Sequence, residues 1–359
     1  MRWVVKSGHG LTTTDSRGPF GHRTWTSLSD PPGSHEGLLV GGLYPEVAVV
    51  ETGMLDTGDG NLIYWETSGN PTGKPALVVH GGPGSGSDPT LRRFFDPERY
   101  RIIQFDQRGC GRSRPHASDP TTDLSTNTTA HLLDDMELLR AHLEVERWLL
   151  FGLSWGSTLG LAYAELHREF VTEIVLGAVT TTRPSEIDWL YHGSGRFLPE
   201  EWHRFWTGAG VDDPDADLVR AYRRLLDDQD PAMREQAAIR WCEWEDAIVA
   251  TTPNAEPNPR YADPVFRMGF ARLVTHYFSN AAWLDDGQLI ANAARLRNIP
   301  GRLVHGRLDL SSPLQTAWQL SQGWPTAELV VVERSGHSAT DPGMTGALVA
   351  ATDHFATHQ

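Results

Sequence analysis

One pentapeptide constrains this chain more than any other feature. Gly152-Leu153-Ser154-Trp155-Gly156 follows directly on the apolar run Trp148-Leu149-Leu150-Phe151 and precedes a helix-like stretch from Ser157 to Leu166. A G-x-S-x-G string is weak on its own in a chain with 35 glycines, so its flanks carry the meaning. A strand that turns sharply into a helix holds a serine hydroxyl clear of the sheet on a strained turn, where a base can reach it. Such a turn demands a sheet with a helix packed on its face.

The other parts of a hydrolytic site follow in a set order. Ala76-Leu77-Val78-Val79 reads as a short buried strand running into His80-Gly81-Gly82-Pro83-Gly84. A glycine turn at a strand's C-terminal end lets a backbone N–H approach a substrate, because no side chain intervenes. Gly82 is the expected donor, since Pro83 has no N–H to give, and the Trp155 N–H is expected as the second. Losing one such oxyanion donor costs about 3 kcal/mol of transition-state stabilisation.

Downstream, Gly301 to His305 reads as a buried strand ending in Gly306-Arg307-Leu308-Asp309. Glu328 to Val332 is a further β-rich run leading to Ser335-Gly336-His337-Ser338. Serine, then an acid after a late strand, then a histidine after the last strand is the chain order of α/β-hydrolases. In that order His337 takes the proton from Ser154, and Asp309 fixes the imidazole tautomer and stabilises its cation. His80, His276 and His305 are expected to pack or to stabilise turns.

Strands and helices alternate from about residue 41 to 182, which implies a mostly parallel sheet covered on both faces. Asn127 is expected to cap a helix carrying Leu132, Leu133, Met136, Leu139 and Leu143. Alternation lapses over 183–290, a tryptophan-rich stretch expected to be a helical cap. Most of its tryptophans should pack the cap core, with a minority on the pocket wall. The α/β-hydrolase core then comprises 41–182 and 291–359. Residues 1–40, rich in Gly, Ser, Thr and Pro, are expected to be a poorly ordered tail or the result of a start codon set too far upstream.

Three segments together resemble the proline iminopeptidases (prolyl aminopeptidases). They are His80-Gly81-Gly82-Pro83-Gly84, Asp106-Gln107-Arg108-Gly109-Cys110-Gly111-Arg112-Ser113 and Leu153-Ser154-Trp155-Gly156-Ser157-Thr158-Leu159. The similarity runs from about Gly42 to about Phe355. The second segment follows the strand Arg101 to Phe105; it reads as a structural turn with Arg108 and Arg112 in salt bridges, or as part of the site. The resemblance implies a serine peptidase releasing an N-terminal residue, usually proline, with Ser154, Asp309 and His337 as its triad.

In that family two cap glutamates pair with the substrate's α-amino group. The first is retained as Glu245 in Trp241-Cys242-Glu243-Trp244-Glu245. The second lies in a segment resembling A-R-I-E-N-H-Y-F, which here reads Ala271-Arg272-Leu273-Val274-Thr275-His276-Tyr277-Phe278. Valine stands where the glutamate should be, and an apolar group cannot attract an ammonium ion. Glu243 and Asp246 flank Glu245 but point elsewhere on a helix, and read as a solvated acidic face. Three functions therefore stay open: release of N-terminal proline, a diverged hydrolase acting on another amide, ester or thioester, or a non-catalytic binding protein on the same scaffold.

Composition narrows the partners. With 39% hydrophobic and 21% charged residues the chain can bury a core and is not generally disordered. A formal net charge of −15 argues against nucleic acid, which needs clustered Lys and Arg. A small peptide or amide/ester is the expected substrate. The two cysteines, Cys110 and Cys242, lack metal-ligand spacing, so no metal or cofactor is implied. They also suit a reducing compartment. No apolar run is long enough for a membrane span and no signal-peptide core is visible, so a cytoplasmic location is expected.

Overall fold

The structure, a computed structural model, describes residues 26–28, 42–252 and 256–356. Nine strands are found among them: β1 (Thr26–Leu28), β2 (Val49–Asp56), β3 (Leu62–Gly69), β4 (Lys74–Val79), β5 (Tyr100–Phe105), β6 (Trp148–Leu153), β7 (Val171–Gly177), β8 (Gly301–Gly306) and β9 (Ala327–Val332). They form one sheet in the order β1-β9-β8-β7-β6-β4-β5-β3-β2. The pairs β2–β3 and β3–β5 are antiparallel, and all the others are parallel. The expected tail, residues 1–40, lies outside the described residues apart from β1, which pairs with β9.

Side-chain alternation explains why the central strands read as unbroken apolar runs. In β6, Trp148 and Leu150 enter one buried cluster while Leu149 and Phe151 enter the cluster on the other face. Leu77 and Val79 of β4 divide from Ala76 and Val78 in the same way. A strand buried on both faces has no polar side to show.

Helices cover both faces. α1 (Thr129–His142) joins β5 to β6, and α2 (Trp155–Leu166) springs from the end of β6. Between β7 and β8 the chain leaves the sheet for α3 (Pro184–Tyr191), α4 (Pro199–Gly208), α5 (Leu218–Leu226), α6 (Pro231–Val249), α7 (Pro264–Phe278) and the short α8 (Gln288–Ala291). α9 (Leu314–Gly323) links β8 to β9, and α10 (Met344–Ala356) follows. Asp230-Pro231 and Asp263-Pro264 start α6 and α7: each aspartate accepts the N–H two residues on, and each proline fills the first helical position, where no N–H is needed. Among the described residues, no helix is long and apolar enough to cross a membrane.

The inserted helices have a core of their own. Phe205 stacks on Tyr222 at 4.6 Å and on Trp244 at 5.4 Å, while Tyr191 meets Trp241 at 4.8 Å. Burying aromatics of this size, each ~150–250 Å², is what holds the layer together.

One local expectation is corrected. The cap position of α1 is Thr128, not Asn127. Asn127 instead donates to the Arg108 carbonyl at 3.0 Å and accepts the Tyr277 hydroxyl at 2.6 Å, tying the sheet's loops to α7. Buried polar groups take hydrogen-bond partners, and at Asn127 those partners come from distant parts of the chain.

Candidate active site

Ser154 sits where β6 becomes α2, with φ 54° and ψ −124°. A non-glycine residue at such angles stores about 1–3 kcal/mol, so the surroundings must hold it in place. The Ser154 N–H donates to the Gly177 carbonyl at 3.0 Å. The flanking glycines let the turn close: a Cβ at Gly156 would lie 2.1 Å from the Val79 oxygen, and one at Gly152 would lie 2.3 Å from the Gly156 oxygen. The pentapeptide is thus a steric requirement of helix packed on strand.

Asp309 and His337 come together from the ends of β8 and β9. His337 Nδ1 lies 3.0 Å from Asp309 Oδ2 and 3.1 Å from Oδ1. Asp309 is buried, and its Oδ1 also accepts the Ser312 N–H at 2.7 Å. His305, expected to pack, does so and also shapes this loop: it accepts the Val179 N–H through Nδ1 and donates Nε2–H to the Ser312 carbonyl at 2.7 Å. Burial alone would raise the Asp309 pKa, but the His337 charge and hydrogen bond hold it below the usual carboxylate value. Burial alone would lower that of His337, but Asp309, with Glu245 and Asp341, holds it above the ordinary imidazole value.

Ser154, His337, Gly82 and Trp155 all line one cavity of about 380 Å³, a size suited to a small molecule. Gly82 adopts φ 112°, open to glycine and hostile to other residues. Trp155 opens α2, so its N–H is among those that helix geometry leaves without an intrahelical acceptor.

Gln107 is a residue of this site to which the sequence pattern assigned no role. It is buried and joins the two halves of the expected oxyanion site. Its Nε2 donates to the His80 carbonyl at 3.0 Å, and its Oε1 accepts the Trp155 indole N–H at 2.9 Å. Its backbone N–H donates to His80 Nε2 at 3.0 Å, which leaves Nδ1 as the protonated nitrogen, 2.9 Å from the Gly81 carbonyl. Burial pushes the His80 pKa down to about 4, in keeping with a neutral ring. The arginines of the same segment are structural. Arg108 makes a buried two-pronged contact with Asp135, both bonds 2.7 Å, and Arg112 binds Asp106 and Glu66 at 2.9 Å.

Glu245, on α6, lines the same cavity and is buried. Tyr191 donates its hydroxyl to Glu245 Oε1 at 2.7 Å. Burial pushes the Glu245 pKa up to about 7, against the Tyr191 bond and the His337 charge, which favour the ionised form. Asp246 also lines the cavity and accepts the Asn258 N–H at 2.8 Å, which corrects its reading as part of a solvated face. Glu243 is exposed and pairs with Arg240 at 2.8 Å, as that reading expected. The cavity's aromatic wall comprises Phe94, Trp155, Tyr261, Phe270 and Phe278; no tryptophan of the inserted helices reaches it.

Comparison with known proteins places this geometry. Residues 74–343 match the family model for the α/β hydrolase fold. A probable proline iminopeptidase of Streptomyces coelicolor is 52% identical over 320 residues, 88% of this chain and 98% of that one. The proline iminopeptidase of Xylella fastidiosa strain Temecula1 is 44% identical, covering 87% of this chain and 99% of its own. That of Arabidopsis thaliana is 42% identical, covering 87% and 81%. This chain belongs to the proline iminopeptidase family.

Solved structures agree on the fold alone. A proline iminopeptidase-related protein from Thermus thermophilus superposes with a TM-score of 0.55 at 23% identity, covering 85% of this chain and 97% of that one. An esterase from Rhodococcus sp. ECU1013 gives 0.54 at 16% identity, covering 88% and 99%.

Of the two positions that the resemblance assigns to amine binding, Glu245 lines the cavity and Val274 does not. Val274 is 1% exposed and packs in the core of the inserted helices, beside Trp241, Phe270 and Ala271. An apolar residue there strengthens the packing of α6 on α7, and Glu245 and Asp246 are the acids that α6 itself brings to the cavity.

Proposed function

We propose that the protein hydrolyses the bond after an N-terminal residue, proline first, by an acyl-enzyme route at Ser154. The observation that carries this reading is the placement of buried Glu245 in one cavity with Ser154 and with the Asp309-paired His337. Glu245 holds the substrate's ammonium group, and binding that cation draws the carboxyl into its ionised form. His337 takes the Ser154 proton as Oγ adds to the carbonyl carbon, and the carbonyl oxygen becomes an oxyanion facing the N–H groups of Gly82 and Trp155. The tetrahedral intermediate collapses, His337 protonates the departing amine, and an acyl ester remains on Ser154. Water, deprotonated by His337, adds to that ester, and the serine leaves with the proton returned. Asp309 keeps the imidazole in one tautomer throughout.

Relatives at 52%, 44% and 42% identity all carry the iminopeptidase name, which supports this reading over a diverged ester or thioester hydrolase. In this reading 41–182 with 291–359 form the catalytic core and 183–290 the cap. Cys110 and Cys242 are both buried free thiols, which supports the cytoplasm as the place of action.

The test compares kcat/KM for a prolyl arylamide and its N-acetylated form. The expected result is a preference of a hundredfold or more for the free amine, with no turnover by Ser154→Ala. Equal turnover of both substrates, or turnover of esters alone, overturns the aminopeptidase reading. Activity surviving in Ser154→Ala overturns the nucleophile.

A further inference from the structure

The cavity has a second charged pole that the aminopeptidase reading does not use. Arg260, from the 3₁₀ turn Pro259–Ala262, is the one lysine or arginine among the described residues that line it. The wall otherwise carries the acids Asp88, Glu186, Glu245 and Asp246. Three of them are not short of partners: Asp88 accepts the Thr90 N–H, Glu186 binds Arg183, and Asp246 accepts the Asn258 N–H.

Arg260 has no carboxylate within 4.0 Å among the described residues, although the chain carries an excess of 15 negative charges. Its guanidinium is held in place by other means. Nη2 donates to the Ser85 carbonyl, and the group lies 4.0 Å over the ring of Phe266. Both contacts use one edge or one face, and a guanidinium has five N–H donors. The planar fork is thus oriented and keeps donors to spare.

Its position relative to Glu245 gives the cavity a direction. Glu245 projects from α6 and accepts the Tyr191 hydroxyl, whereas Arg260 is fixed to the Ser85 carbonyl at the end of the glycine loop. One pole therefore lies against α3, and the other at the loop that carries Gly82, with Ser154 lining the same cavity. A molecule with a cation at one end and an anion at the other matches this arrangement, and an internal segment of a long polypeptide does not.

We propose that Arg260 binds the C-terminal carboxylate of the substrate, so that the enzyme's substrates are very short peptides, di- and tripeptides with a free acid end. The inference rests on the amine-recognition reading above: the ammonium engages Glu245, the scissile carbonyl meets Ser154, and the one or two following residues, at ~3.5 Å each, bring the carboxylate to Arg260. A two-pronged guanidinium–carboxylate contact adds binding and register together. The cavity volume of about 380 Å³ suits a peptide of that length.

The test measures kcat/KM for Pro-Gly-Gly and for Pro-Gly-Gly-amide, with prolyl arylamide as a substrate that has no carboxylate. The wild-type enzyme is expected to favour the free acid over the amide by tenfold or more. Arg260→Gln should bring that ratio close to one, and Arg260→Lys should retain part of it through charge alone. A wild-type ratio near one overturns the proposal without recourse to any variant, as does an Arg260→Gln enzyme that keeps the wild-type ratio. If the arylamide is cleaved while the acid-to-amide ratio is one, only this inference fails. If no prolyl substrate is cleaved, the aminopeptidase reading fails and takes the inference with it.

Discussion

The indole N–H of Trp155 donates to the side-chain oxygen of Gln107 at 2.9 Å, and the same amide's nitrogen donates to the His80 carbonyl at 3.0 Å. One buried side chain thereby sets the spacing between the residue after the nucleophile and the glycine loop at the end of β4. Gln107→Ala leaves the indole N–H without its partner, at a cost of about 1–3 kcal/mol in stability. In the proposed mechanism it also loosens both oxyanion donors at once. The expected outcome is a kcat lower by roughly ten- to a hundredfold with KM changed much less, because the loss falls on the transition state. A steady-state split in which KM rises and kcat holds would assign Gln107 to substrate binding.

The pH dependence follows from two groups. In the proposed mechanism His337 must be neutral to act as base, and its pKa is raised above the ordinary value, mainly by Asp309 against the effect of burial. For an N-blocked amide or ester the acidic limb of kcat/KM should therefore lie above about pH 6.5, the usual imidazole value. For a free-amine substrate the ionisation of Glu245, at about 7, steepens the same limb. Glu245→Gln removes a negative charge that raises the His337 pKa, so the limb should shift to lower pH; a shift upward would contradict the assignment.

Glu245 also sets a conflict between binding and stability. Its folded pKa of about 7 lies above its unfolded value near 4.5, so the folded state binds the extra proton between them. Stability contributed by the protonated form is complete below about pH 4.5 and is lost as pH rises toward 7, by up to ~3 kcal/mol. Glu245→Gln keeps an acceptor for Tyr191 and removes that loss. The variant should show a higher urea midpoint than wild type at about pH 8 and a similar one at about pH 4.5, while its preference for free-amine substrates collapses.

Two glycines of α2 should behave in opposite ways. Gly156→Ala places a methyl 2.1 Å from the Val79 oxygen, a backbone atom that cannot step aside. It should cost about 3 kcal/mol or more, read as a fall in the urea midpoint and in soluble yield. At Gly160 the nearest atom to a new Cβ is a Leu176 methyl at 3.9 Å, ordinary contact. Gly160→Ala should stabilise by up to ~1 kcal/mol through helix propensity. Equal losses at both sites would mean that helix packing rather than the turn limits Gly156.

Much of this protein was readable along the chain. The runs at 76–79, 101–105, 148–151, 301–305 and 328–332 all lie within strands, because a strand buried on both faces needs consecutive apolar residues. Pairing of Asp309 with His337 was legible because each follows the end of a strand, and parallel strands bring those ends to one side of a sheet. Asn127 was misread for an instructive reason. Its identity suits a helix cap, but Tyr277, 150 residues away, competes for its side chain and wins.

By itself the sequence determined what depends on near neighbours: the strand runs, the elbow at Ser154, the order of serine, acid and histidine, and the retained Glu245. Only the tertiary structure decided what depends on meetings across the chain. Val274 lies in the core of the inserted helices and not on the cavity wall, Asp246 faces the cavity, and Gln107 spans 48 residues to reach Trp155. Arg260 reaches back 175 residues to Ser85. Periodicity reports which face of an element is apolar, but the partners of a buried polar group are chosen by packing, and packing is settled only when the elements meet.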